Sequence, residues 1–152
     1  MLLSLSSPEA QGDVAKRGTA TAPSDTTETK KLRPLMVEIA QDMARINTGI
    51  WHEDYELIEE GGTSIANHPK IPRAQMARIK KALGTEFNAF VQFDKTVHQG
   101  AAELAEAASN ENMSAVLDTY TEVRNGCVGC HTAYRDRVRQ VLSQAEFEEG
   151  GR

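Results

Sequence analysis

The stretch Cys127-Val128-Gly129-Cys130-His131 says more about the fold than any other part of this sequence. It holds both cysteines of the chain and places a histidine directly after the second one. On a helix, residues three and four positions apart lie on one face, so Cys127, Cys130 and His131 can address a single flat partner. C-x-x-C-H is the attachment motif of c-type haem, in which two thiols bond to the haem vinyl groups and the imidazole ligates the iron.

Other uses of the two cysteines explain the motif less well. A structural zinc site needs four ligands, usually two pairs, and the chain has no second cysteine pair. A thioredoxin-like redox pair belongs in a βαβ context, which the pattern does not indicate. A disulfide across so short a loop leaves His131 without a role. The motif therefore predicts one covalent haem c, with Cys127 and Cys130 as its thioether residues and His131 as an iron ligand.

The composition suits a single exported domain and argues against some partners. A chain of 152 residues fits one hydrophobic core, and a charged fraction of 26% is ordinary for a globular domain. The net charge of −5, which haem propionates make more negative, disfavours nucleic acid. No run approaches the roughly 18 apolar residues of a membrane span. Because haem is attached outside the bacterial cytoplasm, the motif predicts a periplasmic or otherwise exported protein.

The predicted domain lies between two tails. Residues 1–29 begin with a short leucine-containing run and continue in Ser, Thr, Ala, Asp, Glu and Pro without hydrophobic period. This composition predicts a disordered tail, a signal remnant or a linker that tethers the domain to a membrane or a larger complex. Residues 30–145 carry the helical patterns, and residues 146–152 are predicted to form a flexible C-terminal tail.

Two helices are predicted in the first half of the domain. Apolar residues recur at steps of three and four over residues 35–50, and Pro34 is tolerated in the first turn of this helix. After a short connection, a second helix is predicted over residues 54–66. The adjacent glycines Gly61 and Gly62 lower its intrinsic helix propensity.

Two longer helices are predicted in the second half. Residues 67–72 cannot continue a helix, because their two prolines break it. The third apolar stripe runs over residues 76–108 as one long helix, with Gly84 marking a kink. Residues 109–112 form a turn with good capping residues, and the fourth stripe covers residues 113–142.

These patterns predict an all-α protein, an antiparallel (up-down-up-down) four-helix bundle with a covalently bound haem. With C-x-x-C-H in its last helix, the chain resembles the class II c-type cytochromes, the cytochrome c′ / cytochrome c-556 family, whereas class I cytochromes c carry the motif near the N-terminus. The sequence from Gly126 to Arg135 looks like the C-terminal signature of that family, with an aromatic–Arg pair three and four residues after His131. The resemblance covers roughly residues 30–142.

The resemblance implies a haem lodged within the bundle, with His131 as proximal ligand and Arg135 beside the proximal face. In cytochrome c′ proper the distal position is empty and faced by an apolar residue of the first helix, and the iron binds NO or CO. In the cytochrome c-556 type, a methionine of that helix fills the position. Methionine–histidine ligation raises the potential and suits electron transfer, so the distal residue decides the function.

The rise of a helix allows candidates for the distal position to be compared. Counting about 1.5 Å per residue from the bundle end near residues 51 and 110, Met36 lies near haem height and Met43 about two turns too low. Arg33 is nearer the height of His131 but cannot ligate iron. A methionine in an apolar stripe is usually core filler, so Met36 is predicted as the provisional distal ligand with packing as the alternative.

Aromatic and histidine side chains complete the list of candidates. Phe87 and Phe90 fall near haem height and are predicted to pack on the ring, with an ordinary core role as the alternative. His98 lies about one turn below the attachment residues and is a third candidate ligand, although a half-exposed helical histidine is the simpler interpretation. His68 and His52 are predicted to be surface residues.

The sequence therefore predicts an exported monohaem cytochrome that carries single electrons between redox partner proteins. No nucleophile–base constellation indicates turnover, so the chain is not predicted to be an enzyme. One alternative is a five-coordinate cytochrome c′ that binds NO or CO at an open distal site. Another is a tethered haem subunit of a larger redox complex. A homodimer is compatible with the resemblance, but no stripe in the sequence is diagnostic of one.

Overall fold

The computed structural model describes residues 29–150, which form an all-helical fold. The five helices are α1 (Leu32–His52), α2 (Tyr55–Ala66), α3 (Arg73–Leu83), α4 (Phe87–Ser109) and α5 (Met113–Gly150). Within the described range the only β-type pairing is an isolated bridge between Thr29 and Lys70. The predicted N-terminal tail, residues 1–29, lies outside the described residues except for Thr29. In the same range, no helix is long and apolar enough to cross a membrane.

The helices pack as the predicted four-helix bundle, with the third member broken in two. α1 packs on α2, α2 on α4, and α4 on α5, while α3 packs mainly on α5. Gly100 faces Val123 and Gly126 faces Val97, so α4 and α5 run antiparallel. The backbones of α1 and α5 have at most marginal contact with each other in residues 29–150.

The prediction of one continuous third helix is wrong in detail. α3 ends at Leu83, a 3₁₀ turn covers Gly84–Glu86, and α4 begins at Phe87. Gly84 adopts φ 54° and ψ −122°, which breaks the helix rather than merely bending it. A left-handed φ of this kind is readily available only to glycine, so the residue predicted to mark a kink marks a chain break instead.

Polar caps stabilise the two tight turns that follow α1 and precede α5, at the end of the bundle opposite Gly84. Glu53 adopts a left-handed φ of 53° after α1, and the Asp54 carboxylate then accepts a hydrogen bond of 3.0 Å from Leu57 N–H. Before α5, the side-chain oxygen of Asn112 accepts one of 3.1 Å from Ala115 N–H. Both caps satisfy amide groups that have no partner within their helix.

The adjacent glycines of α2 allow close packing on both sides. A Cβ on Gly61 would lie 2.6 Å from the Ile46 side chain of α1, and a Cβ on Gly62 would lie 2.9 Å from the Ala101 carbonyl oxygen of α4. The two residues that lower the helix propensity of α2 thus let it lie directly against both neighbours. Tertiary packing outweighs intrinsic propensity here.

Buried apolar residues form two separate cores. The first core joins α1, α2, α4 and α5; its members are Leu35, Ile39, Ile46, Ile58, Ile65, Ala101, Leu104, Ala107, Ala108, Val116 and Val123. The second core joins α3 and α5; its members are Ile79, Leu83, Tyr134, Val138 and Leu142, with partly buried residues of α1 and α4 packed against it. The buried carboxylate of Asp42 at the first core is satisfied by Ser64 at 2.7 Å and Arg45 at 3.0 Å.

The last helix is longer than the sequence pattern indicates. α5 continues to Gly150, through residues for which the sequence predicts a flexible tail. Residues 143–149 contain no proline and several good helix formers, so nothing in the local sequence stops the helix after residue 142. Ala145 is buried, which also ties this extension to the rest of the fold.

Candidate functional site

The C-x-x-C-H segment lies in the middle of α5, where two glycines bring it close to α4. A Cβ on Gly126 would lie 2.8 Å from the Val97 side chain, and a Cβ on Gly129 would lie 2.7 Å from the Phe93 ring. The absence of side chains at these two positions therefore lets α5 approach α4 closely along one face. Cys130, four residues after Gly126, shares its face of the helix and packs against the same core as Phe93.

The two cysteines lie at the border between the cores. Cys127 is half-buried and packs against the first core, whereas Cys130 is half-buried and packs against the second core. Both are free thiols. The C-x-x-C-H segment therefore spans the boundary between the two groups of packed apolar side chains.

Both thiols have raised pKa values. Burial raises the pKa of Cys127, and burial together with the negative charge of Asp94 raises the pKa of Cys130 to about 11. A reactive redox cysteine needs a lowered pKa, because the thiolate is the nucleophile. The pair therefore has the opposite electrostatic setting from a thioredoxin-type active site.

His131 and Arg135 lie together on the exposed side of the same helix. Both side chains are exposed, and with Val128 and Thr132 they line a shallow, solvent-open depression. The Arg135 guanidinium lies 3.4 Å from the carboxylate of its neighbour Asp136. The structure thus brings the predicted proximal ligand and the predicted proximal arginine to one surface.

The predicted aromatic residues lie against the second core. Phe87 and Phe90 are half-buried, and their ring centroids are 6.2 Å apart in a stacked arrangement. Phe90 also meets Tyr134 edge-on at 5.7 Å. Phe93, which the sequence analysis did not single out, contacts both Gly129 and Tyr134. Since Cys130 packs on the same core, these rings surround one side of the attachment residues.

The two methionines of α1 both face the first core. Met36 and Met43 are half-buried and pack against it, as Cys127 does. Leu32, one turn before Met36, is also half-buried but packs against the second core with Cys130. α1 therefore presents a thioether and an apolar side chain on the two sides of the border at which the cysteines lie.

Among His52, His68 and His98, only His68 differs from its predicted surroundings. His52 is exposed, as predicted. His68 is only half-exposed, and its ring lies 4.4 Å from that of His98, centroid to centroid. The packing of α2 against α4 brings the two rings together. The prediction of His68 as a surface residue rests on its position in the loop after α2, and the sequence of that loop does not indicate the contact with His98.

The family comparison agrees with this geometry. The family model described as cytochrome c′ matches residues 29–135, which is well over half of the chain, and the chain therefore belongs to the cytochrome c′ family. Membership makes it a class II, haem-binding c-type cytochrome. Neither the curated proteins nor the solved structures give a significant match.

The residues at the border fit the haem group that this family implies. Two free thiols lie one helical turn apart, and apolar side chains of both cores lie on either side of them. A flat apolar group attached to Cys127 and Cys130 would lie against the partly buried apolar side chains that flank the two cores.

Proposed function

We propose that this protein is an exported monohaem c-type cytochrome that carries single electrons. Cys127 and Cys130 hold one covalent haem, and His131 is its proximal iron ligand. The observation that carries the proposal is the pair of free, half-buried thiols at the border of the two cores, with His131 directly after the second one. Bound there, haem supplies a one-electron couple. The chain orients the group through α5 and shields it with the rings of α4.

Met36 is the proposed distal ligand, and the contacts between helices support its height. Asp42 of α1 meets Ser64 of α2, and two residues further along α2 the Ala66 carbonyl meets His98 of α4. Val97, next to His98, faces Gly126 of α5.

These contacts convert into heights along the bundle. Heights are counted along each helix away from the turn between α1 and α2. Met36 lies about 9 Å above Asp42 on α1, whereas Ala66 lies only about 3 Å above Ser64, the partner of Asp42, on α2.

The difference of about 6 Å corresponds to four residues on α5. Because α4 and α5 are antiparallel and Val97 faces Gly126, His98 lies level with residue 125, which places Met36 near the height of Gly129. A thioether at the height of the C-x-x-C-H segment is suited to ligate the iron from the side opposite His131.

A gas-binding function is the second candidate. Leu32 packs against the core that contains Cys130, so an apolar residue of α1 is also available at the border. If Leu32 rather than Met36 faces the iron, the distal position stays open to NO or CO. The protein would then resemble cytochrome c′ proper in function.

The absorption spectrum of the oxidised holoprotein distinguishes the two functions. We expect a low-spin ferric spectrum that becomes high-spin in Met36→Ala. Met43→Ala is the matched control, because Met43 is also half-buried on α1 against the first core but lies two turns further from the haem height. A high-spin native spectrum with rapid CO binding after reduction would reject Met36 as ligand and favour the gas-binding function.

A further inference from the structure

Three side chains of metal-ligating type lie close together where the C-terminal end of α2 packs against α4. They are His68, in the loop after α2, and Asp94 and His98, which lie one turn apart on α4. One ligand atom from each residue lies within 4.8 Å of the ligand atoms of the other two. On α4 the His98 side chain is 31% exposed and the Asp94 side chain is 52% exposed. The cluster is therefore accessible from solvent.

Backbone carbonyls fix which nitrogen of each histidine is free. His98 Nδ1 lies 2.8 Å from the Ala66 carbonyl oxygen, and His68 Nδ1 lies 2.9 Å from the Pro69 carbonyl oxygen. A carbonyl oxygen can only accept, so both Nδ1 atoms donate and both Nε2 atoms carry the lone pair. Histidine ligands of metals are typically oriented in this way, with the other ring nitrogen donating to a carbonyl.

Direct hydrogen bonding between the aspartate and the histidine on α4 does not account for the cluster. His98 Nε2 lies 3.8 Å from Asp94 Oδ1, which is too long for a hydrogen bond. The ring contact between His68 and His98 also brings together two groups that would repel each other if both were protonated. A shared cation removes both difficulties, because it binds neutral imidazoles and an ionised carboxylate.

We propose that His68, Asp94 and His98 bind a divalent transition-metal ion of the zinc class. Two imidazoles and one carboxylate are the donors that such ions prefer, whereas Ca²⁺ and Mg²⁺ require mostly oxygen ligands. Tetrahedral zinc would bring the ligand atoms to about 3.4 Å from one another. Small rotations of the exposed Asp94 side chain and the half-exposed His68 ring can supply this contraction, and water can take the fourth position.

The site lies beside the haem-attachment segment. Val97, adjacent to His98, faces Gly126, and Phe93, adjacent to Asp94, faces Gly129. A bound cation adds positive charge near the haem and disfavours the ferric state. We therefore expect zinc to raise the reduction potential, a consequence that rests on the proposed function, whereas metal binding itself does not.

Calorimetric titration of the purified holoprotein with Zn²⁺ tests the site. We expect one ion per chain, with Ca²⁺ and Mg²⁺ giving no comparable binding. His98→Ala and Asp94→Asn should weaken zinc binding by more than about 100-fold, since changes to groups behind metal ligands already cost 10–100-fold. His52→Ala is the control, because His52 is exposed at the opposite end of the bundle. Asp94→Asn changes an exposed residue, so it remains informative if His98→Ala does not fold.

The outcomes separate this inference from the proposed function. Zinc affinity equal in wild type, His98→Ala and Asp94→Asn would overturn the metal site. A change in the spin state of the iron in His98→Ala would also overturn it, because His98 would then be an iron ligand. A chain that binds zinc at these residues but carries no covalent haem would retain the metal site and refute the cytochrome function alone.

Discussion

The two hydrophobic cores differ in how completely protein side chains close them. The first core draws on four helices, and Ile46, Ile58, Leu104 and Val116 in it have no exposed surface. The second core is smaller: Ile79 is fully buried, but Cys130 and the half-buried rings of α4 lie at its edge. The first core therefore supplies stability by itself, whereas the border with the second core leaves apolar surface that a cofactor can cover. One end of the bundle is built for stability and the other for binding.

The largest expected effect comes from opening the closed core. Leu104→Ala removes a side chain with 0% exposure, and we expect a loss of about 2–5 kcal/mol in the free energy of unfolding. The haem absorption spectrum should stay unchanged, because Leu104 belongs to the first core away from the α4 rings. Denaturant unfolding followed by circular dichroism measures the loss.

Phe90→Leu is the matched substitution at the other core. The side chain is half-buried, so we expect a smaller loss of stability than in Leu104→Ala together with a shifted haem spectrum. The reverse pattern, with Leu104→Ala altering the spectrum and Phe90→Leu causing the greater destabilisation, would refute the division between a stabilising and a binding region.

The smallest expected effect concerns an exposed ion pair that ties α5 to the turn before α4. Arg137 donates to both carboxylate oxygens of Glu86, at 2.7 and 2.8 Å. The Arg137 guanidinium lowers the pKa of Glu86 below its ordinary value of 4.5. A carboxyl group with a lowered pKa stabilises the fold at higher pH, and this contribution is lost as the pH falls through the folded-state pKa.

Glu86→Gln should therefore lower the melting temperature slightly at pH 7, since exposed ion pairs contribute little. The difference from wild type should disappear when both proteins are melted well below pH 4.5. A difference that persists unchanged in acid would mean that the ion pair is not its cause. Glu122→Gln, which removes another exposed carboxylate, makes the same change in net charge and is the control.

Much of the fold follows from local sequence. The stripe of α1, the extent of α2 and the cap at Asn112 are features of short segments, and each is present in the structure. The break at Gly84 was underestimated, because apolar periodicity continues across it while the glycine takes a left-handed conformation. Periodicity reports which residues face a core, but not whether the backbone between them stays helical.

The two candidate sites also differ in how far the local sequence indicates them. The haem motif is local, since Cys127, Cys130 and His131 share one turn of one helix. The cluster of His68, Asp94 and His98 depends on the packing of α2 against α4, which no single segment specifies. The spacing of Asp94 and His98 was the available signal, but His68 joins them only through tertiary structure. Phe93 was missed for a similar reason, because its role depends on the glycine opposite it.

The intact mass of the purified protein tests the central claim most directly. We expect the mass of the chain plus one haem, retained after acid–organic extraction, because two thioether bonds hold the group. The double substitution Cys127→Ser and Cys130→Ser should give the mass of the chain alone. A native protein that loses its haem on extraction, or whose mass corresponds to the chain with a disulfide between the two cysteines, would contradict the account.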